Sequence, residues 1–279
     1  MRLCRGGLPV CSFFLFFLIG GLAVAGTFND DFNDNEIDKE FWVIYKESPT
    51  GKIEEANGRI EVTDLSGGWD GVGIRFDRPI DFTKGKFTLE FDMFLRNTDG
   101  HAYFSSSAVE TGIWDPPLFA FNGILSGGRA IWQFETNKDA SVAPAFQIPI
   151  DQDNFHHYKV EFTPTADKKE YKFYTNVDNG DLGEASGTLN VGQLDPTNIY
   201  VYFIPEQESG INEFTYYDNV SISSPSIEGI IGHKEAVEPG DKLSTTWGQI
   251  KARSLTNKFG VLELAPAFEG ASKLAHSTG

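Results

Sequence analysis

The 279-residue chain has two cysteines, Cys4 and Cys11, and both precede residue 25. Everything after that point has no thiol, so no disulfide, Cys-ligated metal or Cys nucleophile is available to it. Basic residues are also scarce: 23 Lys+Arg stand against 40 Asp+Glu, for a net charge of −17. Phosphate backbones need a basic footprint, so the chain is no candidate for nucleic acid. Long apolar runs are missing too. The longest, residues 12–25, has 14 residues and contains Gly20-Gly21, short of the roughly 20 that span a bilayer. With Arg2 and Arg5 ahead of it and Ala23-Val24-Ala25 behind it, this run predicts a signal peptide over 1–25. Cleavage would come before Gly26 and leave no membrane insertion. The alternative is retention of the segment as an anchor. The expected location is outside the cell, at its surface or in the periplasm.

Strand-like patterns fill most of the remainder. Phe87, Leu89, Phe91, Met93 and Leu95 recur at period two, with Thr88, Glu90 and Asp92 between them, which only a strand can sort onto two faces. Asn57-Gly58, between two alternating runs, predicts a hairpin with a type I′ turn. A second Asn-Gly turn is expected at Asn179-Gly180. Further strands are predicted over 72–76, 101–109, 117–121, 129–135, 155–162, 170–175, 199–204 and 213–222. About a dozen strands with polar turns, and no long amphipathic helix before Ser224, indicate an all-β, two-sheet antiparallel sandwich over 27–224. Residues 225–279 lose the periodicity and read as a partly disordered C-terminal tail. Leu243, Trp247 and Ile250 fit one short helix in it.

Three segments resemble the concanavalin A-like lectin/glucanase superfamily, in the right order over 27–223. Asp30-Asp31-Phe32-Asn33-Asp34 with Phe41-Trp42 is similar to its opening, found in laminarinase-like glucanases and laminin G-like modules. Phe155-His156-His157-Tyr158 resembles a W-H-H-V strand of laminin G-like modules, and Asp218-Asn219-Val220-Ser221-Ile222 resembles the closing strand. The resemblance implies a jelly roll with glycans bound on one sheet face or its rim. It also implies a structural Ca2+ joining the opening and closing strands, at Asp30 or Asp31 and Asp218. Glucanase relatives carry E-x-D-x-E catalytic strands. Here Glu90-Phe91-Asp92 is followed by Met93-Phe94-Leu95, and 101–135 offers only Glu110 and Glu135.

Aromatic rings stack on pyranose C–H faces, so Trp114, Trp69, Tyr103 and Trp132 are the ligand candidates. The Ca2+ candidates are Asp31 and Asp218. Asn219-Val220-Ser221 also matches a glycosylation acceptor. The leading expectation is a noncatalytic protein that binds a glycan or polysaccharide, or recognises a surface. The alternatives are a glycoside hydrolase or lyase, and a structural or adhesive module.

Overall fold

The computed structural model describes residues 25–63, 68–96, 98–126, 129–143, 148–150, 154–168, 170–207 and 214–227. Residues 1–24 of the expected signal peptide 1–25, and residues 228–279 of the expected tail, lie outside the described residues. The chain divides into units 1–232 and 233–279, and all described residues belong to the first.

In chain order the strands are β1 (Gly26–Asp30), β2 (Trp42–Lys46), β3 (Lys52–Ala56), β4 (Arg59–Thr63), β5 (Gly68–Phe76) and β6 (Phe87–Arg96). There follow β7 (Thr98–Ser105), β8 (Leu118–Ser126), β9 (Arg129–Thr136), β10 (Ser141–Ala143), β11 (Ile148–Ile150) and β12 (Phe155–Pro164). Last come β13 (Glu170–Val177), β14 (Gly183–Asn190), β15 (Tyr200–Phe203), β16 (Glu206–Gln207) and β17 (Phe214–Ser224).

They form two antiparallel sheets. The nine-stranded sheet runs β10-β14-β13-β12-β6-β17-β4-β3, with β1 added on β17. The eight-stranded sheet runs β11-β9-β8-β7-β15-β5-β16, with β2 added on β5. The sandwich read from the sequence is therefore the fold.

Period-two patterning explains how the sheets face each other. The five apolar residues of β6 are all 2% exposed or less. They meet Ala102 and Phe104 of β7, Phe119 and Phe121 of β8, and Val201 and Phe203 of β15 in one core. Rings interlock across the layers: Phe91 lies 5.2 Å from Phe203, and Phe162 lies 5.2 Å from Phe119, both edge to face. Trp42, expected in the core, is 1% exposed, and its indole N–H donates to Asp30 at 2.9 Å.

The Asn57-Gly58 hairpin forms as predicted, with both residues at positive φ (55° and 72°) between β3 and β4. Asn179 likewise adopts positive φ in the turn joining β13 to β14. Three expectations are corrected. The strand predicted over 101–109 ends at Ser105. Trp69, expected in a loop, lies in β5. Ile227, expected in the tail, is 1% exposed and belongs to the core.

Gly73 of β5 sits where a Cβ would strike the Phe203 carbonyl, a backbone atom that cannot swing aside. Gly73→Ala should cost about 1–3 kcal/mol, read as a lower urea midpoint; an unchanged midpoint would contradict this packing.

Candidate functional site

The outer face of the eight-stranded sheet carries a second apolar cluster, separate from the core between the layers. Alternation that sends Ala102, Phe104, Phe119 and Phe121 inward sends Tyr103, Leu118 and Ala120 outward. Register places Val43, Arg75, Tyr202, Tyr103 and Ala120 in one row across β2, β5, β15, β7 and β8. Tyr45, Tyr202 and Ile204 complete the cluster.

The segment between β7 and β8, residues 106–117, lies over this row as a strap. Val109, Ile113 and Trp114 supply its apolar underside. Its polar backbone is met by side chains of the sheet. The Tyr202 hydroxyl donates to the Ser107 carbonyl (2.6 Å) and accepts from the Val109 amide (2.8 Å). The Tyr45 hydroxyl accepts from the Ile113 amide (3.2 Å), and the Glu110 carbonyl accepts from the Lys46 amide (3.0 Å). The strap turns back near Gly112, at a φ of 68° that disfavours a side chain. Asn137 then holds the returning leg. Its Nδ2 donates to the carbonyls of Trp114 (2.9 Å) and Pro116 (3.2 Å), and its Oδ1 accepts from the Leu118 amide.

Of the four aromatic candidates, the structure brings Trp114 and Tyr103 together, rings edge to face at 5.7 Å. Trp114 is half-buried on the strap, with part of its surface open. Tyr103 is fully buried between Trp114 and the stacked ring of His101, so it supports Trp114 and offers no open face of its own. Trp69 and Trp132 belong to β5 and β9 of the same sheet, with Trp132 in register with Gly123. The sequence reading missed Tyr45, Tyr202, Arg75 and Asn137. Tyr202 was visible as an outward-phase tyrosine in an apolar strand. Asn137 carried no signal, because its partners are backbone atoms about twenty residues away.

The outer face of the nine-stranded sheet holds the charged groups. Glu90 and Asp92 of β6 lie opposite Lys159 and His157 of β12. His157 Nδ1 pairs with Asp92 at 2.8 Å, and Lys159 Nζ with Glu90 at 3.0 Å. Hydrogen bonding to His157, aided by Lys159 and opposed by burial, lowers Glu90 to about 2. Burial opposes the charge on His157, but Asp92 and Glu90 outweigh it and raise it to about 9. Both carboxylates are thus engaged in ion pairs on the sheet opposite the strap. The paired histidines point to opposite faces, as the strand period requires; His156 turns inward to Asp178.

Asp218 sits beside a bulge in β17, where Asn219 takes a φ of 49°. Burial, with the charges of Asp92 and Asp31 outweighing the Asn219 amide bond, raises Asp218 to about 7. The charge of Asp31 contributes to the shift of Asp218. Asp30 is instead committed to the Phe32 amide and the Trp42 indole. Two carboxylates supply at most four of the six to eight oxygens that Ca2+ takes. Among the described residues no three His, Cys, Asp or Glu gather as a metal-binding group. Asn219 donates its amide to Asp92 at 2.8 Å, so the nitrogen a glycan would need is already engaged.

Solved structures with this arrangement include lectins. Basic winged bean lectin, in complex with Tn-antigen, aligns over 72% of this chain and 98% of its own, with 14% identity and a TM-score of 0.50. Lotus tetragonolobus seed lectin aligns over 71% and 98%, with 14% identity and a TM-score of 0.51. The chain has the concanavalin A-like lectin/glucanase fold. Peanut lectin aligns comparably, over 72% and 97% with 12% identity and a TM-score of 0.50. No family model and no curated protein matches the chain. At these identities the likeness fixes the concanavalin A-like fold and leaves the ligand to the chain's own residues.

The shifted groups set a pH dependence. Asp218, raised from 3.8 to about 7, binds its proton more tightly when folded, so its contribution falls as pH rises between those values. His157, raised from 6.5 to about 9, stabilises fully below 6.5 and loses this as pH rises through 9. Glu90, lowered from 4.5 to about 2, stabilises above 4.5 and loses this as pH falls. Stability in EDTA should therefore peak at roughly pH 4–5. Asp218→Asn should flatten the decline between pH 5 and 7; an equally steep decline in the variant would contradict the assignment.

Proposed function

We propose that this chain is an exported, noncatalytic carbohydrate-binding protein that engages glycan at the strapped face of its eight-stranded sheet. One observation carries the reading. Trp114 is held part-open on a lectin-like sandwich, with Tyr103 against its ring and Asn137 holding its carbonyl and that of Pro116. A fixed indole stacks on a sugar with little ordering cost. The signal-like segment 1–25 supports export, to the medium, the cell surface or the periplasm.

The noncatalytic part rests on the carboxylates. A retaining glycosidase needs two of them about 5–5.5 Å apart, one serving as acid. Glu90 and Asp92, the E-x-D pair of the sequence, are ion-paired with Lys159 and His157 on the opposite sheet. Asp31 and Asp218 are read as an acidic junction without calcium. A melting midpoint higher in calcium than in EDTA would overturn that reading; equal midpoints are expected.

A glycan array run beside a polysaccharide-degradation panel tests the function. The expected result is binding without degradation, lost at least ten-fold in Trp114→Ala with the melting midpoint nearly unchanged. Degradation of any bound polysaccharide would make the protein a hydrolase or lyase. Undiminished binding in Trp114→Ala would remove this face from the site.

A further inference from the structure

The outer face of the nine-stranded sheet carries a patch of four aromatic rings. Register sets Phe155, Phe94 and Tyr216 in one row across β12, β6 and β17, with Glu61 of β4 at its end. Phe214 stands two residues before Tyr216, on the same face. The rings are held against one another. Phe94 lies 5.5 Å from Phe155, 5.4 Å from Tyr216 and 5.7 Å from Phe214, the last nearly parallel at 4°. All four are half-buried. Among the described residues none of the four belongs to the core between the sheets or to the cluster beneath the strap. Two guanidinium groups lie on the rings, that of Arg59 3.7 Å from the Tyr216 centre and that of Arg96 5.1 Å from the Phe214 centre. Glu61 pins Arg59 at 2.8 Å.

Outward aromatic rings beside arginine are the composition of a protein–protein contact. Rings already fixed by their neighbours lose little freedom when a partner covers them. Charge narrows the choice of partner. On β4, β6, β12 and β17, with Lys86 just ahead of β6, the outward bases are Arg59, Arg96, Lys86, His157 and Lys159. The outward acids are Glu61, Glu90, Asp92, Glu161 and Asp218. Asp92 and Glu90 keep His157 charged by raising it to about 9, so this face is close to neutral. The whole chain carries −17, and nearly all of that excess lies elsewhere. A basic partner would be drawn to those other, acidic surfaces. Two copies of the chain would repel each other there and can close on a neutral face.

We propose that two copies of the chain pair through this face, ring patch against ring patch, about a two-fold axis. A two-fold contact brings the same surface of each copy together, so that surface must complement itself. This one holds rings and both signs of charge side by side, with the Arg59 side chain 27% exposed and those of Glu90 and Lys159 34% and 29% exposed. The rings would supply the apolar centre of the contact, and the charged groups its rim. The pairing does not depend on the carbohydrate reading above. It leaves the strap, on the outer face of the other sheet, uncovered in both copies. Where that reading holds, the pair presents two glycan faces and gains avidity for a polymeric ligand.

The test is sedimentation velocity on the purified protein from about 1 to 100 μM. The expected result is a reversible dimer whose dissociation constant rises about ten-fold or more in Phe94→Lys. It should be unchanged in Ile44→Ser, which alters an exposed apolar residue of the other sheet. Added salt should tighten the dimer, because it screens the repulsion between two acidic chains. If Phe94→Lys does not fold, Arg59→Glu, at a partly exposed position, should show the same loss. A monomer at every concentration overturns the proposal. So does an undiminished dimer in the folded Phe94→Lys, or in Arg59→Glu if that variant stands in, since the contact would then lie elsewhere on the chain. A dimer that weakens in salt would rest on ion pairs instead of rings, and that overturns it too.

Discussion

Everything in this domain depends on apolar contact between two sheets that no covalent link holds together. No cysteine follows Cys11, so the layers are joined by burial and by interlocked rings. Phe91 of β6 shows the arrangement: it is 0% exposed, stacks on Tyr158 of β12 at 5.3 Å and meets Phe203 of the other sheet edge to face at 5.2 Å. Such a core fixes register, because a one-residue slip would turn each phenylalanine to the outside. Register in turn fixes which residues stand on the outer faces, and function is read there.

The two outer faces solve different problems. On the nine-stranded sheet, acids and bases pair across strands, and the aromatic residues Phe94, Phe155, Phe214 and Tyr216 cluster under Arg59, whose guanidinium carbon lies 3.7 Å above Tyr216. On the eight-stranded sheet, tyrosines stand where polar residues are usual, and the chain covers them with its own strap. The tyrosines bury their rings and use their hydroxyls to meet the strap backbone, so one residue type supplies both the apolar floor and the ties. Trp114 is left half-buried at the margin of this arrangement.

Much of the fold was legible because strand period and Asn-Gly turns are local signals. The β6 alternation and the Asn57-Gly58 hairpin needed no tertiary information. Short or irregular strands such as β10, β11 and β16 were not legible, since their partners and not their composition make them strands. The strap was hidden for a related reason. Residues 106–109 continue an apolar-polar texture beyond Ser105, and only the tyrosines beneath them turn the chain away from the sheet. At the site, Trp114 could be chosen from sequence because a tryptophan beside Asp115-Pro116-Pro117 stands out in a loop. Tyr103 could be placed at the same site, but its burial depends on Trp114 and His101 folding over it.

Hydrogen exchange with and without a glycan identified on the array addresses the central claim most directly: the strapped face is where ligand sits. The account predicts slower exchange in ligand at the strap amides of Val109 and Ile113 and in β15, with β6 and β12 unchanged. Protection confined to β6, β12 and β17, on the opposite sheet, would contradict it.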